Sequence, residues 1–127
     1  MAPKTDSRRK PKTATSVRPR IRVLRGEEIA LGPGKVELLR AVAEAGSLAA
    51  AARSLDMSYM RAWKLVGTMN ACLEKPLVEL ERGGSAHGHA ALTPTGVIVL
   101  ALYDEMESAS LRAVDSAWRR LRRLLAD

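Results

Sequence analysis

The chain contains no phenylalanine, two tryptophans, two tyrosines and a single cysteine, Cys72. With so few aromatics, any interior must be filled by Leu, Val and Ala. A lone cysteine cannot form an intramolecular disulfide and fits a reducing compartment. Its helix phase points Cys72 at the core, away from any redox role. No apolar run approaches the ~20 residues needed to span a membrane. The basic N-terminus also lacks the apolar segment of a secretory signal, so a cytoplasmic protein with no membrane partner is expected. Catalytic patterns are missing too: there is no Ser/His/Asp ordering, paired-carboxylate motif or cofactor fingerprint, and the two histidines, His87 and His89, share one loop. Those imidazoles have no further histidine or neighbouring cysteine to complete a metal site. Neither an enzyme nor a bound cofactor is expected.

The 127 residues, 46% of them hydrophobic, suffice for one modest domain with its own core. A net charge of +7 and a pI near 10.2 point to an anionic partner such as nucleic acid. The charge is unevenly placed. Lys4, Arg8, Arg9, Lys10, Lys12, Arg18 and Arg20 face a single acid, Asp6, in the first twenty residues, and the rest of the chain is nearly neutral. A DNA-facing surface on the body must therefore arise by segregation of charge.

Everything else is organised around Ser47 to Leu73, which reads as two helices joined by a tight turn. Ser47 directly follows Gly46, placing a helix stop beside an N-cap. Ala49, Ala50, Ala51 and Ala52 allow close approach of a second helix backbone, as a helix-turn-helix requires. With Ala52 at the crossing, the buried positions fall on Ala51, Leu55, Met57, Ala62 and Leu65, all apolar. The turn falls on Asp56, one of the few non-glycine residue types that tolerate positive φ.

At 100° per residue, Ala62, Leu65, Val66, Met69, Cys72 and Leu73 gather on one stripe of the second helix. Met60, Lys64, Gly67 and Thr68 point the other way, with Arg61 and Trp63 on the shoulders. Such a helix places its N-terminal half in a major groove, where Ser58, Tyr59, Met60, Arg61 and Lys64 reach bases or phosphates. Ser47 and Thr68 join these as candidate DNA contacts. Trp63 either packs against the first helix of the motif or meets DNA.

Around this unit, residues 1–19 are too poor in apolar groups to repay ordering and read as a flexible basic arm. The arm either rests on DNA phosphates or serves as a solubilising tail. One or two short strands between Arg20 and Leu31 precede a helix from Lys35 to Gly46, with Val36, Leu38, Leu39, Val42 and Ala43 on its apolar stripe. Pro76 stops the second helix of the motif, and Leu77 to Glu81, a glycine-rich loop and Ala90 to Leu92 form a β-hairpin in the position of a wing. Arg82, Ser85, His87 and His89 on that wing are candidate contacts to phosphate or the minor groove.

Thr93 and Pro94 open a last helix running to about Leu125. Leu100, Tyr103, Leu111, Val114, Trp118, Leu121 and Leu125 follow helical seam spacing, the expected contact of a homodimer. The domains expected are thus the arm 1–19, a winged helix-turn-helix 20–92 and a long C-terminal dimerisation helix 93–127. The fold class is mainly α with a small β-hairpin.

These residues resemble a known family. Leu31-Gly32-Pro33-Gly34-Lys35, Gly46-Ser47, Ala51-Ala52, Ser58-Tyr59 with Arg61-Ala62-Trp63, Met69-Asn70, Pro76-Leu77-Val78-Glu79 and Leu92-Thr93 are similar to the N-terminal DNA-binding domain of the ModE family. These are bacterial molybdate-responsive transcriptional regulators with a LysR-like helix-turn-helix. The resemblance covers roughly Ile21 to Leu125. It implies a winged helix-turn-helix dimer that binds double-stranded DNA at an inverted repeat and reads it with the segment Ser58 to Lys64. The family usually carries glycine at the position of Asp56 and a longer glycine run where this wing reads Gly88-His89-Ala90. The chain stops where the family's molybdate-binding domains would begin, so molybdate is not expected to bind it. A second reading makes the chain a winged-helix interaction module that dimerises or docks on another regulator without reading DNA sequence.

Overall fold

The structure, a computed structural model, describes residues 13–81 and 88–127. A β-hairpin comes first, formed by β1 (Val23–Arg25) and β2 (Glu28–Leu31). The strands are antiparallel, pairing Arg25 with Glu28 and Leu24 with Ile29, with a bulge between Val23 and Leu24. Gly26 closes the turn at φ 63°, a conformation open to glycine at no steric cost.

Helix α1 (Pro33–Ala45) starts two residues earlier than its sequence suggests, because Pro33 takes the first helical position, where its missing N–H costs nothing. Its stripe is Val36, Leu38, Leu39, Ala41 and Val42, and Ala43 turns outward instead. Gly46 ends α1 in the left-handed region, φ 73°. Ser47 then caps α2 (Leu48–Ser54), its Oγ accepting the Ala50 N–H at 3.0 Å. The motif turns at Asp56, whose φ of 55° is the only positive value on a non-glycine residue described. The turn is held by the amides of Asp56, donating to the Arg53 carbonyl at 3.1 Å, and Met57, donating to the Ala52 carbonyl at 3.0 Å. Helix α3 (Tyr59–Cys72) follows, capped by Ser58 Oγ accepting from the Arg61 N–H at 3.1 Å.

Where α2 and α3 meet, Ala51, Ala52 and Ala62 are 0%, 2% and 0% exposed. A larger side chain there would overpack the crossing, at a cost of about 1–3 kcal/mol. Leu55, Met57, Leu65 and Leu73 are half-buried against the same core. Cys72 is also half-buried, so it lies at the edge of the interior and not within it.

The second hairpin is β3 (Val78–Leu80) with β4 (Ala90–Leu92), in register Val78 to Leu92 and Leu80 to Ala90. The short strands expected between Arg20 and Leu31 thus pair as a hairpin of their own, and β3 is shorter than the apolar run around it. Thr93 leads into α4 (Pro94–Arg122), with its Oγ1 accepting the Gly96 N–H at 2.9 Å and donating to the Pro76 carbonyl at 2.7 Å. Gly96 is buried against the Leu77 backbone, where a Cβ would overlap the carbonyl oxygen, so only glycine fits without a shift. The helix ends at Arg122 and not at Leu125, closing through a turn in which Leu125 N–H donates to the Arg122 carbonyl.

Arg20–Glu107 form one compact unit, and residues from Ser108 onward belong to a second. In the first, Arg40 on α1 donates to Asp104 on α4 at 2.6 Å, with Glu107 at 3.6 Å. The hydrogen bond to Asp104 pushes the already high Arg40 pKa further up. Tyr103 lies in this core, 1% exposed, its hydroxyl donating to the Ile21 carbonyl at 2.7 Å. Burial raises its pKa. These facts correct the expected dimer seam: Tyr103 is enclosed by its own domain, and Leu100 is half-buried against the same core. The two helix positions continue an inward face, and seam spacing alone does not tell an inward face from an intermolecular one. In the second unit, Leu111, Val114, Leu121 and Leu125 are exposed and Trp118 is half-buried.

Candidate nucleic-acid interface

The site is the outward face of α3 together with what flanks it. Its inward face is used up, with Ala62, Val66 and Met69 at most 1% exposed. The outward residues follow from helix phase: Tyr59, Met60 and Trp63 are 49%, 57% and 45% exposed, and Arg61, Lys64 and Gly67 are exposed beside them. The sequence of α3 holds Arg61 and Lys64 and no acid. Neither cation forms an ion pair among the described residues, whereas Arg40 and Arg119 do. The segregation that the near-neutral body demands is thus present locally. Ser58, Met60, Arg61 and Lys64 line one depression at the N-terminal end of the helix.

On the other side, Tyr59, Trp63 and Gly67 face the base of the second hairpin across a groove of about 270 Å³, which Leu80, Glu81, Gly88 and His89 also line. That volume is below the range usual for small-molecule pockets. Trp63 is therefore a groove residue; it shares this groove with Leu48 at the start of α2 and does not enter the core.

An antiparallel β-bridge between Ser47 and His89 fixes the hairpin to the motif, made by the Ala90 N–H donating to the Gly46 carbonyl at 2.9 Å and the Leu48 N–H donating to the Gly88 carbonyl at 3.4 Å. Asn70 adds a lock from α3: its Oδ1 accepts from Leu77 N–H at 2.8 Å and Val78 N–H at 3.3 Å, and its Nδ2 donates to the Val78 carbonyl at 3.1 Å. Sequence reasoning gave Asn70 no such role. A signal existed, since asparagine is a poor helix former and this one lies just ahead of the next strand.

Of the candidate contacts, Ser58, Tyr59, Met60, Arg61 and Lys64 are brought together on one exposed face. Ser47 and Thr68 are less free. Ser47 and Ser58 both accept a capping bond on Oγ, but Ser47 is half-buried where Ser58 is exposed, and Thr68, half-buried, donates its hydroxyl to the Lys64 carbonyl at 3.1 Å. His89 is exposed at the hairpin base, while Arg82, Ser85 and His87 lie outside the described residues. Among the described residues no cluster of three or more potential metal ligands occurs, and no helix is long and apolar enough to cross a membrane.

Two helices packed through alanines, an exposed cationic second helix and a hairpin pinned beside it define a winged helix-turn-helix DNA-binding protein. Comparison with known proteins agrees: residues 34–97 match the profile of the bacterial regulatory helix-turn-helix protein family of lysR type, and the chain belongs to that family. Its DNA-binding domain is ModE-like. It is 39% identical over 84 residues to the molybdenum-pterin-binding protein MopA of Rhodobacter capsulatus, covering 66% of this chain and 32% of that protein. It is 35% identical over 83 residues to the DNA-binding transcriptional dual regulator ModE of Escherichia coli (strain K12), covering 65% of this chain and 32% of that one. The chain therefore spans about a third of the length of these relatives. Among solved structures, the DNA-binding domain of CbnR in complex with DNA is similar at a TM-score of 0.54 and 28% identity, covering 69% of this chain and 95% of that one. Full-length CbnR with its target DNA gives 0.51 and 30%, covering 66% and 27%. The matched family is one of bacterial regulatory helix-turn-helix proteins and the Escherichia coli relative is a DNA-binding transcriptional regulator, neither an enzyme.

Proposed function

We propose that this chain is a cytoplasmic transcriptional regulator that binds duplex DNA as a homodimer at a pseudo-palindromic site. The observation that carries this reading is the outward face of α3, where Arg61 and Lys64 stand exposed, unpaired among the described residues and unopposed by any acid on the helix. The N-terminal half of α3 enters the major groove, where Arg61 or Lys64 pairs with a guanine edge or clamps a phosphate and Tyr59 and Met60 make the adjoining contacts. The second hairpin lies along the neighbouring backbone with Arg82, Ser85, His87 and His89, and the basic arm 1–19 adds salt-sensitive, sequence-independent affinity. A second copy covers Leu111, Val114, Trp118, Leu121 and Leu125, which are too many large apolar groups on one helix and the turn that closes it for a surface meant only for water.

The direct test is selection of bound sequences from a random duplex pool. An inverted repeat should be enriched, with half-sites about one helical turn, roughly 34–36 Å, apart. Recovery of sequences with no shared element, at an affinity indifferent to salt, would refute the proposal.

A further inference from the structure

The first hairpin lies ahead of residues 34–97, the stretch that matches the lysR-type family. It is nonetheless built against the recognition helix: β2 packs on α3, with Ala30 and Leu31 buried, and Lys35 Nζ donates to the Ile29 carbonyl, tying the strand to the start of α1. The β1–β2 turn thereby brings Arg25 and Glu28 to the rim of an open depression whose other lining includes Lys64, Gly67, Thr68 and Ala71 on α3. Arg25 is exposed and pairs with no acid among the described residues, its strand partner Glu28 included.

Length decides what lies over this depression. Helix α3 has 14 residues, about 21 Å at the usual rise, and the major groove is about 12 Å wide. Seated by its N-terminal half at an angle across the groove, the helix would carry its C-terminal half out past the sugar-phosphate backbone. The outward positions on that half are Gly67 and Ala71, and a Cβ added at Gly67 would meet nothing within 4 Å. A backbone can therefore come close here, with Lys64 on one side and Arg25 on the other.

Resting on the DNA-binding reading above, we propose that the β1–β2 turn is a second DNA-contacting element, in which Arg25 pairs with a phosphate of the strand that passes over Gly67 and Ala71. Glu27 and Glu28 in the same turn repel phosphates not aligned with Arg25. The turn therefore gives little to non-specific attraction and favours one register of the protein on its site.

The test uses the full chain and the duplex it selects from a random pool, with Arg25→Ala, Arg25→Gln, Glu28→Gln and Lys64→Ala compared by salt-dependent binding and by ethylation interference at phosphates. Arg25→Ala and Arg25→Gln should each weaken binding about tenfold and lower the salt slope by about two, one phosphate contact being lost in each of the two half-sites, with no change in preferred bases. Glu28→Gln should tighten binding to random duplex. Wild-type affinity and salt slope in both Arg25 variants, alongside loss of binding in Lys64→Ala, would overturn the role of the turn alone. Wild-type binding by Lys64→Ala as well would overturn the placement of DNA on α3, and the turn's role with it.

Discussion

Helix α3 and the part of α4 after Glu107 both present large apolar side chains to solvent, but beside different charges. On α3, Ala62, Val66 and Met69 are turned inward while Tyr59, Met60 and Trp63 stand exposed beside two cations that pair with no acid among the described residues, and the helix itself carries no acid. On α4 the charges are partly matched within the helix, as in the Arg119–Asp115 pair at 2.7 Å, and Leu111, Val114 and Leu121 are 41%, 41% and 54% exposed. An unpaired cation attracts phosphate, and an exposed apolar row gains by leaving water. Two surfaces of one chain therefore fit the two partners proposed above, nucleic acid at one and a second copy at the other.

That contrast can be broken at either surface. Trp118→Glu combined with Leu121→Glu should give a monomer in sedimentation velocity. Binding to an inverted repeat should drop about 100-fold, towards that of a half-site, because the second half-site contact ceases to be intramolecular. Lys64→Ala should do the converse, weakening DNA binding about tenfold in anisotropy titrations and leaving the sedimentation coefficient unchanged. A dimer that falls apart on loss of Lys64 would merge the two surfaces into one.

Smaller effects sharpen the contrast by showing what belongs to neither surface. Tyr103→Phe removes the hydroxyl bond to Ile21 and should cost about 1 kcal/mol in urea unfolding, with no change in association or DNA affinity. Because burial raises the Tyr103 pKa, the folded state holds this proton more tightly than the unfolded one. The stabilisation is full below the unfolded value of about 10 and is lost as pH rises through the folded value; the Phe variant should lack that alkaline decline. Gly67→Ala separates stability from function most finely. An open helical position should gain up to about 1 kcal/mol, yet the added methyl faces the DNA, so affinity should fall a few-fold.

Much of this arrangement is legible in the residues alone. The alanines of α2, Asp56 in the left-handed turn, Ser58 as a cap and Thr93-Pro94 as a helix start are local signals with local causes, and each stands where its chemistry puts it. What escapes is set by distant parts of the chain. Tyr103 fits a helix seam by spacing, and only the arrival of Ile21, 82 residues away, shows that it is enclosed by its own domain. Asn70 looks like an indifferent helical polar residue until Leu77 and Val78 fold back onto it. Arg25 is one of many basic residues, and its place beside Lys64 comes from the packing of β2 on α3.

The central claim is that α3 reads base edges and does not merely attract phosphate. Repeating the random-pool selection with Lys64→Gln and Arg61→Gln puts it to the question, because glutamine favours adenine where a cationic side chain favours guanine. The account predicts that at least one of the two variants changes the preferred base at one symmetric pair of positions and keeps the rest of the inverted repeat. An unaltered preferred sequence in both variants, whatever their affinity, would contradict it.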